Sequence, residues 1–341
     1  MIRKRFVLLA SCVLQVSIFS QADTFKAPLV ENSLLLDAAS KQFSVVVGER
    51  GHVLVSAAQS SEYEQVSLPL ATTLTSVDIA SDGIFVAGHD ATIMYTPDKG
   101  STWTIQLNEP ELERPILDIL FFTPQEGIAV GAYGLFYRTT NGGESWQSEQ
   151  HATLLNPLDI EYLEEIRAED EAFYVQELNS ILPHINRVYE FNNKVYAAGE
   201  MGLLAWSDDR GRSWNRYPLD YAGSFFDIHP MSDDFKIAAG LRGAVYVLNE
   251  DGQWRSVNSC TTATLNSIVE VNKNELLIVG NNGAILSVDV PKLRTNLNAS
   301  CGDNGVEYQQ LNTKSAIATV VTNNQQFIAV TADGLQPLNL K

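Results

Sequence analysis

Basic residues are scarce in this sequence. Its 23 Lys and Arg face 41 Asp and Glu, a formal charge of −18. A surface of that sign repels nucleic acid and anionic lipid, which excludes polyanion binding as a working function. Histidine is sparser still, with 5 residues at 52, 89, 151, 184 and 229 and no metal-ligand spacing among them. Three cysteines are too few for a cysteine-rich zinc module, and neither a G-x-S-x-G elbow nor a reactive-thiol motif occurs. The sequence therefore implies no metal, no cofactor and no catalytic residue. Charged residues reach only 19% against 45% apolar, so the chain is not disordered and can bury a sizeable core.

The amino terminus reads as a secretory signal over residues 1–22. Arg3, Lys4 and Arg5 precede an apolar run from Phe6 to Phe19, and Ser20-Gln21-Ala22 places small residues at the positions a signal peptidase reads. A lipobox, Leu9-Ala10-Ser11-Cys12, offers a second reading as a lipoprotein, but it would leave a short apolar core before Cys12. Cleavage after Ala22 is preferred, and the expected location is periplasmic or secreted. Removing the signal leaves 20 basic against 41 acidic residues, a formal charge of −21. Beyond the signal no run approaches the ~20 apolar residues of a membrane helix, so no direct membrane insertion is expected after cleavage.

Self-similarity organises the rest. A short apolar strand followed by G-x-x-G recurs as V-V-V-G-E-R-G, I-A-V-G-A-Y-G, Y-A-A-G-E-M-G, I-A-A-G-L-R-G and L-I-V-G-N-N-G, with F-V-A-G-H-D-A and I-A-V-T-A-D-G as degenerate copies. The first glycines fall at 48, 88, 131, 199, 240 and 280, with Thr331 in the seventh slot, at intervals of 40, 43, 68, 41, 40 and 51 residues. That is the period of a four-stranded propeller blade. An alternating strand then leads to a second turn closed by tryptophan: T-P-D-K-G-S-T-W at 96–103, T-T-N-G-G-E-S-W at 139–146 and S-D-D-R-G-R-S-W at 207–214. In this Asp-box the carboxylate or amide of Asp98, Asn141 or Asp209 accepts backbone N–H groups of its own turn. Gly100, Gly143 or Gly211 takes the left-handed position, and Trp103, Trp146 or Trp214 packs beneath. The motif identifies blades and assigns no activity.

The expected fold is all-β: one seven-bladed propeller over residues 23–341 with four-stranded blades. The last repeat runs out one strand short, and a strand-like stretch over residues 24–30 is expected to supply it, leaving no open join. Two long intervals mark insertions. Residues 151–184 carry Ile160, Leu163, Ile166 and Phe173 at helical spacing among acids, which predicts one short acidic helix docked on the ring. Residues 289–306 form a loop holding Cys301. An exported chain with two remaining cysteines predicts a Cys260–Cys301 disulfide stapling that loop to its blade.

With the repeat phased, G-x-x-G-x-[IVL] followed by [ST]-x-[DN]-x-G-x-[ST]-W resembles the photosystem II assembly and stability factor family, which has many members in non-photosynthetic bacteria. The resemblance covers nearly the whole mature chain apart from the acidic insertion. It implies an exported, non-enzymatic propeller that binds a protein partner while a membrane complex is assembled. In non-photosynthetic members it implies a transport system as that partner. It also implies functional arginines on the propeller surface.

The turn centres and the blade-to-blade loops, including 109–114 and the acidic insertion, open onto one face. Arg50, Arg114, Arg242 and Tyr133 are the candidate docking residues there, since arginine gives bidentate contacts to carboxylates. The alternative is local pairing with acids such as Glu49 and Glu113. A monomer is expected to carry this face. The inner strands place Asp37, Asp78, Asp118, Asp227, Arg187 and Ser267 at comparable channel positions. Four carboxylates there suggest a cation- or ligand-binding propeller, or paired-acid glycoside chemistry of the sialidase kind; caps on local backbone are the preferred reading. A sialidase needs an Arg-Ile-Pro signature early in the chain, and Arg114-Pro115-Ile116 has the wrong order in the third repeat.

Overall fold

The computed structural model describes residues 26–57, 60, 62–80, 83–323 and 326–339. The signal segment with Cys12 lies outside the described residues. Seven antiparallel sheets follow one another along the chain, six with four strands and the last with three. Their inner strands are Leu35–Ser40, Leu74–Ala80, Ile116–Phe121, Ile185–Phe191, Phe225–Ser232, Leu265–Asn272 and Ile317–Asn323, in blades 1 to 7. Each packs on the next, and that of blade 7 packs on that of blade 1, so the cycle closes around a central channel.

The second strand of each blade is sandwiched between neighbouring sheets. Ser44–Gly48, Gly127–Gly131 and Phe235–Gly240 are buried at every position. Burial on both faces is why these strands read as continuous apolar runs rather than as an alternation. Rings interlock across the joints: Phe85 of blade 2 stacks on Phe121 of blade 3 at 3.9 Å, and burying each such side chain contributes roughly 1.5–3 kcal/mol.

The G-x-x-G glycines are needed for close approach. In every blade the N–H after the glycine position donates to the carbonyl just ahead of the inner strand, from Glu49 to Leu34 in blade 1 through Ala332 to Ala316 in blade 7, at 2.8–3.1 Å. A Cβ on Gly48, Gly88, Gly131, Gly199, Gly240 or Gly280 would stand 2.1–2.2 Å from that same oxygen. In these six blades only glycine lets the two backbones meet there. The Asp-box turns close on their own side chains: Asp98 Oδ1 accepts from Thr102 N–H at 2.8 Å, Asn141 Oδ1 from Ser145 N–H at 3.1 Å and Asp209 Oδ1 from Ser213 N–H at 2.9 Å. Burial would raise the Asp209 carboxyl, but hydrogen bonds from Ser213, Ser207 and the turn backbone outweigh it and hold it at about 2.

Two expectations need correction. The amino-terminal stretch does not add a strand to the last blade where it is described. Residues 26–29 are not strand, and Val30–Asn32 is one 3-10 turn lying on the third strand of blade 7, Gly334–Leu338. Pro28 cannot donate to a ladder, and Ala27 N–H is already bound to Gln65 of blade 1. Closure instead comes from an apolar cluster of Val30, Leu35, Val46, Leu54, Val321 and Val330 bridging blades 7 and 1. The acidic insertion is not one helix but an antiparallel hairpin, α1 (Pro157–Glu169) and α2 (Glu171–Ile181). Asp170 breaks it, because its carboxylate caps Ala172 and Phe173 N–H at 2.9 and 3.0 Å. Phe173, placed by spacing on the docked side, is exposed; Leu155, Leu163, Leu178 and Leu182 form the hairpin core.

Cys260 and Cys301 form a disulfide with Cα atoms 5.4 Å apart. The loop expected over 289–306 contains a short helix, α3 (Val290–Thr295), that buries Val290 and Leu293. The bridge spans 41 residues, so its removal in Cys301→Ser is expected to cost up to about 4 kcal/mol. Urea unfolding with and without reductant checks this: reductant should weaken the wild type and leave the variant unchanged.

Candidate functional site

The channel is built on a recurring bulge. Register slips between Leu35 and Asp37 in blade 1, between Leu74 and Ser76 in blade 2 and between Phe225 and Asp227 in blade 5. A bulge takes a backbone N–H out of the ladder, and a side chain from the preceding blade supplies an acceptor beside it. Asp37 Oδ2 accepts from Val77 N–H at 3.0 Å, Asp118 Oδ2 from Val188 at 2.7 Å and Asp227 Oδ2 from Ile268 at 2.7 Å. Ser76 Oγ serves Ile119 N–H at 3.2 Å while donating to Asp118 Oδ1 at 2.9 Å. The aligned row is therefore Asp37, Ser76, Asp118, Arg187, Asp227, Ser267 and Thr319. Asp78 sits two residues further along and accepts from Phe121 N–H at 2.9 Å. Its expected place in the row was wrong, because Ser76 stands two residues after the buried strand start Leu74, as Asp37 stands after Leu35 and Asp227 after Phe225.

Arg187 lies among the three buried carboxylates of this row. Its Nη1 is 3.4 Å from Asp118 Oδ1 and 3.8 Å from Asp37 Oδ1, and its Nε is 3.9 Å from Asp227 Oδ1. Burial pushes Asp118 up to about 6, with Arg187 pulling it down and Asp37 adding to the rise. Burial raises Asp37 and Asp227 as well, again against Arg187. The channel, about 330 Å³, continues past Tyr189 and His229 toward Glu270. Among the described residues no group of three or more His, Cys, Asp or Glu side chains is arranged to hold a metal ion.

The turn face has a different character. The middle residue of the three-residue turns adopts positive φ, as at Arg50 (55°), Tyr133 (53°), Met201 (55°) and Arg242 (57°). Non-glycine residues in this region cost about 1 kcal/mol or more each, and here they project outward. Arg50 is 80% exposed and only 3.8 Å from Glu49. Arg114 does not pair with Glu113. Its Nη1 donates to the Tyr133 carbonyl at 3.3 Å and its guanidinium lies 5.3 Å over the half-exposed Tyr133 ring, which meets His184 edge-on. Arg242 is exposed on blade 5. The structure thus joins Arg114 to Tyr133 and sets Arg50 and Arg242 on other blades of the same face.

Two grooves open on this face. One, about 840 Å³, runs beside Arg50 between Leu29 and Leu68–Leu70. The other, about 650 Å³, separates α1 from the loop between blades 4 and 5, with Ile160, Met201 and Tyr221 in its walls. Arg216 ties the base of the hairpin down by donating to the carbonyls of Leu154 and Met201. Spacing in sequence gave no sign of Arg216 or Thr319, whose roles depend on neighbours far along the chain.

Residues 104–291 match the family model described as photosynthesis system II assembly factor YCF48. The chain belongs to this family. It is 27% identical over 211 residues to the chloroplastic photosystem II stability/assembly factor HCF136 of Oryza sativa subsp. japonica, covering 58% of this chain and 49% of that protein. It is 26% identical over 246 residues to the photosystem II assembly lipoprotein Ycf48 of Synechococcus sp. (strain CC9902), covering 70% of this chain and 66% of that one. The chain spans about half the length of the HCF136 proteins it matches, at 49% and 51%. Among solved structures, YCF48 bound to D1 peptide superposes with a TM-score of 0.64 over 92% of this chain and 94% of that one, at 13% identity. The WD40 propeller of Doa1 superposes with a TM-score of 0.60 over 92% of this chain and 93% of that one, at 12% identity. At these identities the superpositions speak for the YCF48 and WD40 propeller fold alone.

Proposed function

We propose that this YCF48-family chain is an exported, non-enzymatic docking platform whose turn face binds a protein partner during assembly of a membrane complex. One observation carries the reading. Among the described residues, only Ile105 and Tyr308 of the exposed large apolar side chains lie on outer strands. Leu29, Leu112, Tyr133, Met201, Leu241 and four hairpin residues all lie on the turn face or its insertion. Apolar side chains gathered with Arg50, Arg114 and Arg242 are the composition of a protein interface. Similarity to photosystem II assembly factors, and to YCF48 bound to D1 peptide, supports the same reading. The channel offers less to chemistry, since its carboxylates are engaged by backbone N–H groups and Arg187.

A transport complex as partner is the finer form of this proposal, and monomeric action in the periplasm goes with it. Crosslinking capture from the periplasm followed by mass spectrometry tests both. With Arg50→Glu and Arg242→Glu combined, recovery of the membrane-complex subunit should fall at least about tenfold while the melting curve is unchanged. Undiminished capture by the double variant overturns the docking face.

A further inference from the structure

The hairpin carries the most concentrated surface charge described in the molecule. Residues 157–181 contain eight acidic side chains and one basic one, Arg167. Arg167 is itself committed, with its Nε 3.1 Å from Glu171 and its guanidinium over the Tyr174 ring at 5.0 Å. Glu161, Glu164 and Glu165 on α1 and Asp170 at the tip are all exposed. Arg167 acts on Glu171 and Glu164 and Arg216 on Asp159, so the eight acids and one arginine of the hairpin leave it a formal charge of −7.

An apolar stripe runs through this field. Leu158 is 75% exposed, and Tyr162 and Phe173 are exposed as well. Leu158 and Tyr162 are one turn apart on α1 and share a side of that helix. Tyr162 Oη reaches Glu177 Oε1 of α2 at 3.4 Å, and Phe173 stands one turn from Glu177. The three side chains therefore share one side of the hairpin, apart from the Leu163–Leu178 side that forms its core. Nothing in the stability of the hairpin needs them exposed.

From this we infer that the hairpin is a second contact of the docking platform, and that it receives a basic amphipathic segment of the partner. Such a segment lays apolar side chains on Leu158, Tyr162 and Phe173 and sets lysines or arginines against the flanking carboxylates. Groove-and-anchor recognition of an amphipathic helix supplies the apolar contacts. The acids supply steering and orientation, so the association weakens as salt rises. The inference rests on the docking reading above, but it uses residues that the Arg50 and Arg242 test leaves untouched.

The probe is a fluorescein-labelled peptide of about 18 residues built from leucine and lysine at helical period. A permuted peptide of the same composition, with its apolar face scrambled, serves as the reference. Fluorescence anisotropy should show the amphipathic peptide binding the full chain about tenfold tighter than the permuted one. Tyr162→Ser with Phe173→Ser should remove that difference. Glu161→Lys, Glu164→Lys and Glu165→Lys together should weaken both peptides and flatten the salt dependence. Melting curves confirm that these surface variants fold. Equal binding of the two peptides, or an unchanged preference in the Tyr162/Phe173 variant, overturns the inference. If that happens while capture still depends on Arg50 and Arg242, the hairpin contact falls alone and the docking face stands.

Discussion

Arg187→Leu is expected to lower stability by about 3–5 kcal/mol at pH 7.5, the usual cost of removing one partner from a buried ion cluster. The guanidinium is the only basic group within 4 Å of the three buried aspartates in the channel row among the described residues. Without it, Asp37, Asp118 and Asp227 keep their backbone hydrogen bonds but face one another across the channel uncompensated. Urea unfolding measures the deficit. A loss under 1 kcal/mol, the range of an exposed pair, would show that water or other groups already screen the row.

The pH dependence of the same variant separates lost charge from lost packing. All three carboxyls have folded-state values raised by burial, Asp118 to about 6. A carboxyl raised on folding stabilises fully below its unfolded value near 4, and loses that contribution as pH rises through its folded value. Arg187 pulls all three down, so its removal moves them higher. The deficit of Arg187→Leu should therefore shrink as pH falls from 7.5 to 5, because protonation removes the repulsion the arginine had offset. A deficit constant across that interval would assign the effect to packing alone. In the wild type, Asp118→Asn should flatten the part of the stability profile centred near pH 6.

What was legible in the sequence and what was not divides along physical lines. The turns were legible because six of the seven need glycine at a contact of backbone with backbone, repeated at the period of a blade. The Asp-boxes were legible because their hydrogen bonds close within a few residues. The channel row was only half legible. Asp37, Asp118 and Asp227 line up by repeat phase, yet the bulge that all seven inner strands share sets the row two residues after the buried strand start, which in blade 2 is Ser76 and not Asp78, and a bulge appears only in the pairing. The position of Arg187 was visible, but its partners come from blades 1, 3 and 5, so no local pattern announced the cluster. The hairpin was missed as two helices because Asp170 reads equally as a helical surface residue and as a cap. Pro28 in the amino-terminal stretch, and Pro337 at the edge of the last blade, were local signals against a closing strand. Proline within a sheet belongs at an unpaired edge.

Gly240→Ala carries the second large effect. The added Cβ would stand 2.1 Å from the carbonyl oxygen of Ser224, and that oxygen accepts Leu241 N–H at 2.9 Å. Backbone meets backbone here, so no side chain can rotate aside. The start of the blade 5 inner strand must move, or the hydrogen bond must break. Phe225, fully buried against Tyr221 and Tyr246, moves with it. A loss of about 3 kcal/mol is expected, the upper end for overpacking a tight interior. Gly252→Ala is the contrasting control: Gly240 is extended at φ −170°, whereas Gly252 has positive φ, 73°, and nothing stands within 4 Å of its Cβ, so at Gly252 only the conformational cost of roughly 1 kcal/mol applies. Blade 7 shows why the requirement belongs to the turn geometry. There Thr331 pairs directly with Gly334 across Ala332 and Asp333, and its Oγ1 donates to the Gly334 carbonyl at 2.7 Å. A side chain fits where the turn is two residues long and not where it is three. A loss at Gly240 no larger than that at Gly252 in urea unfolding would mean that the close approach of the two backbones does not require glycine.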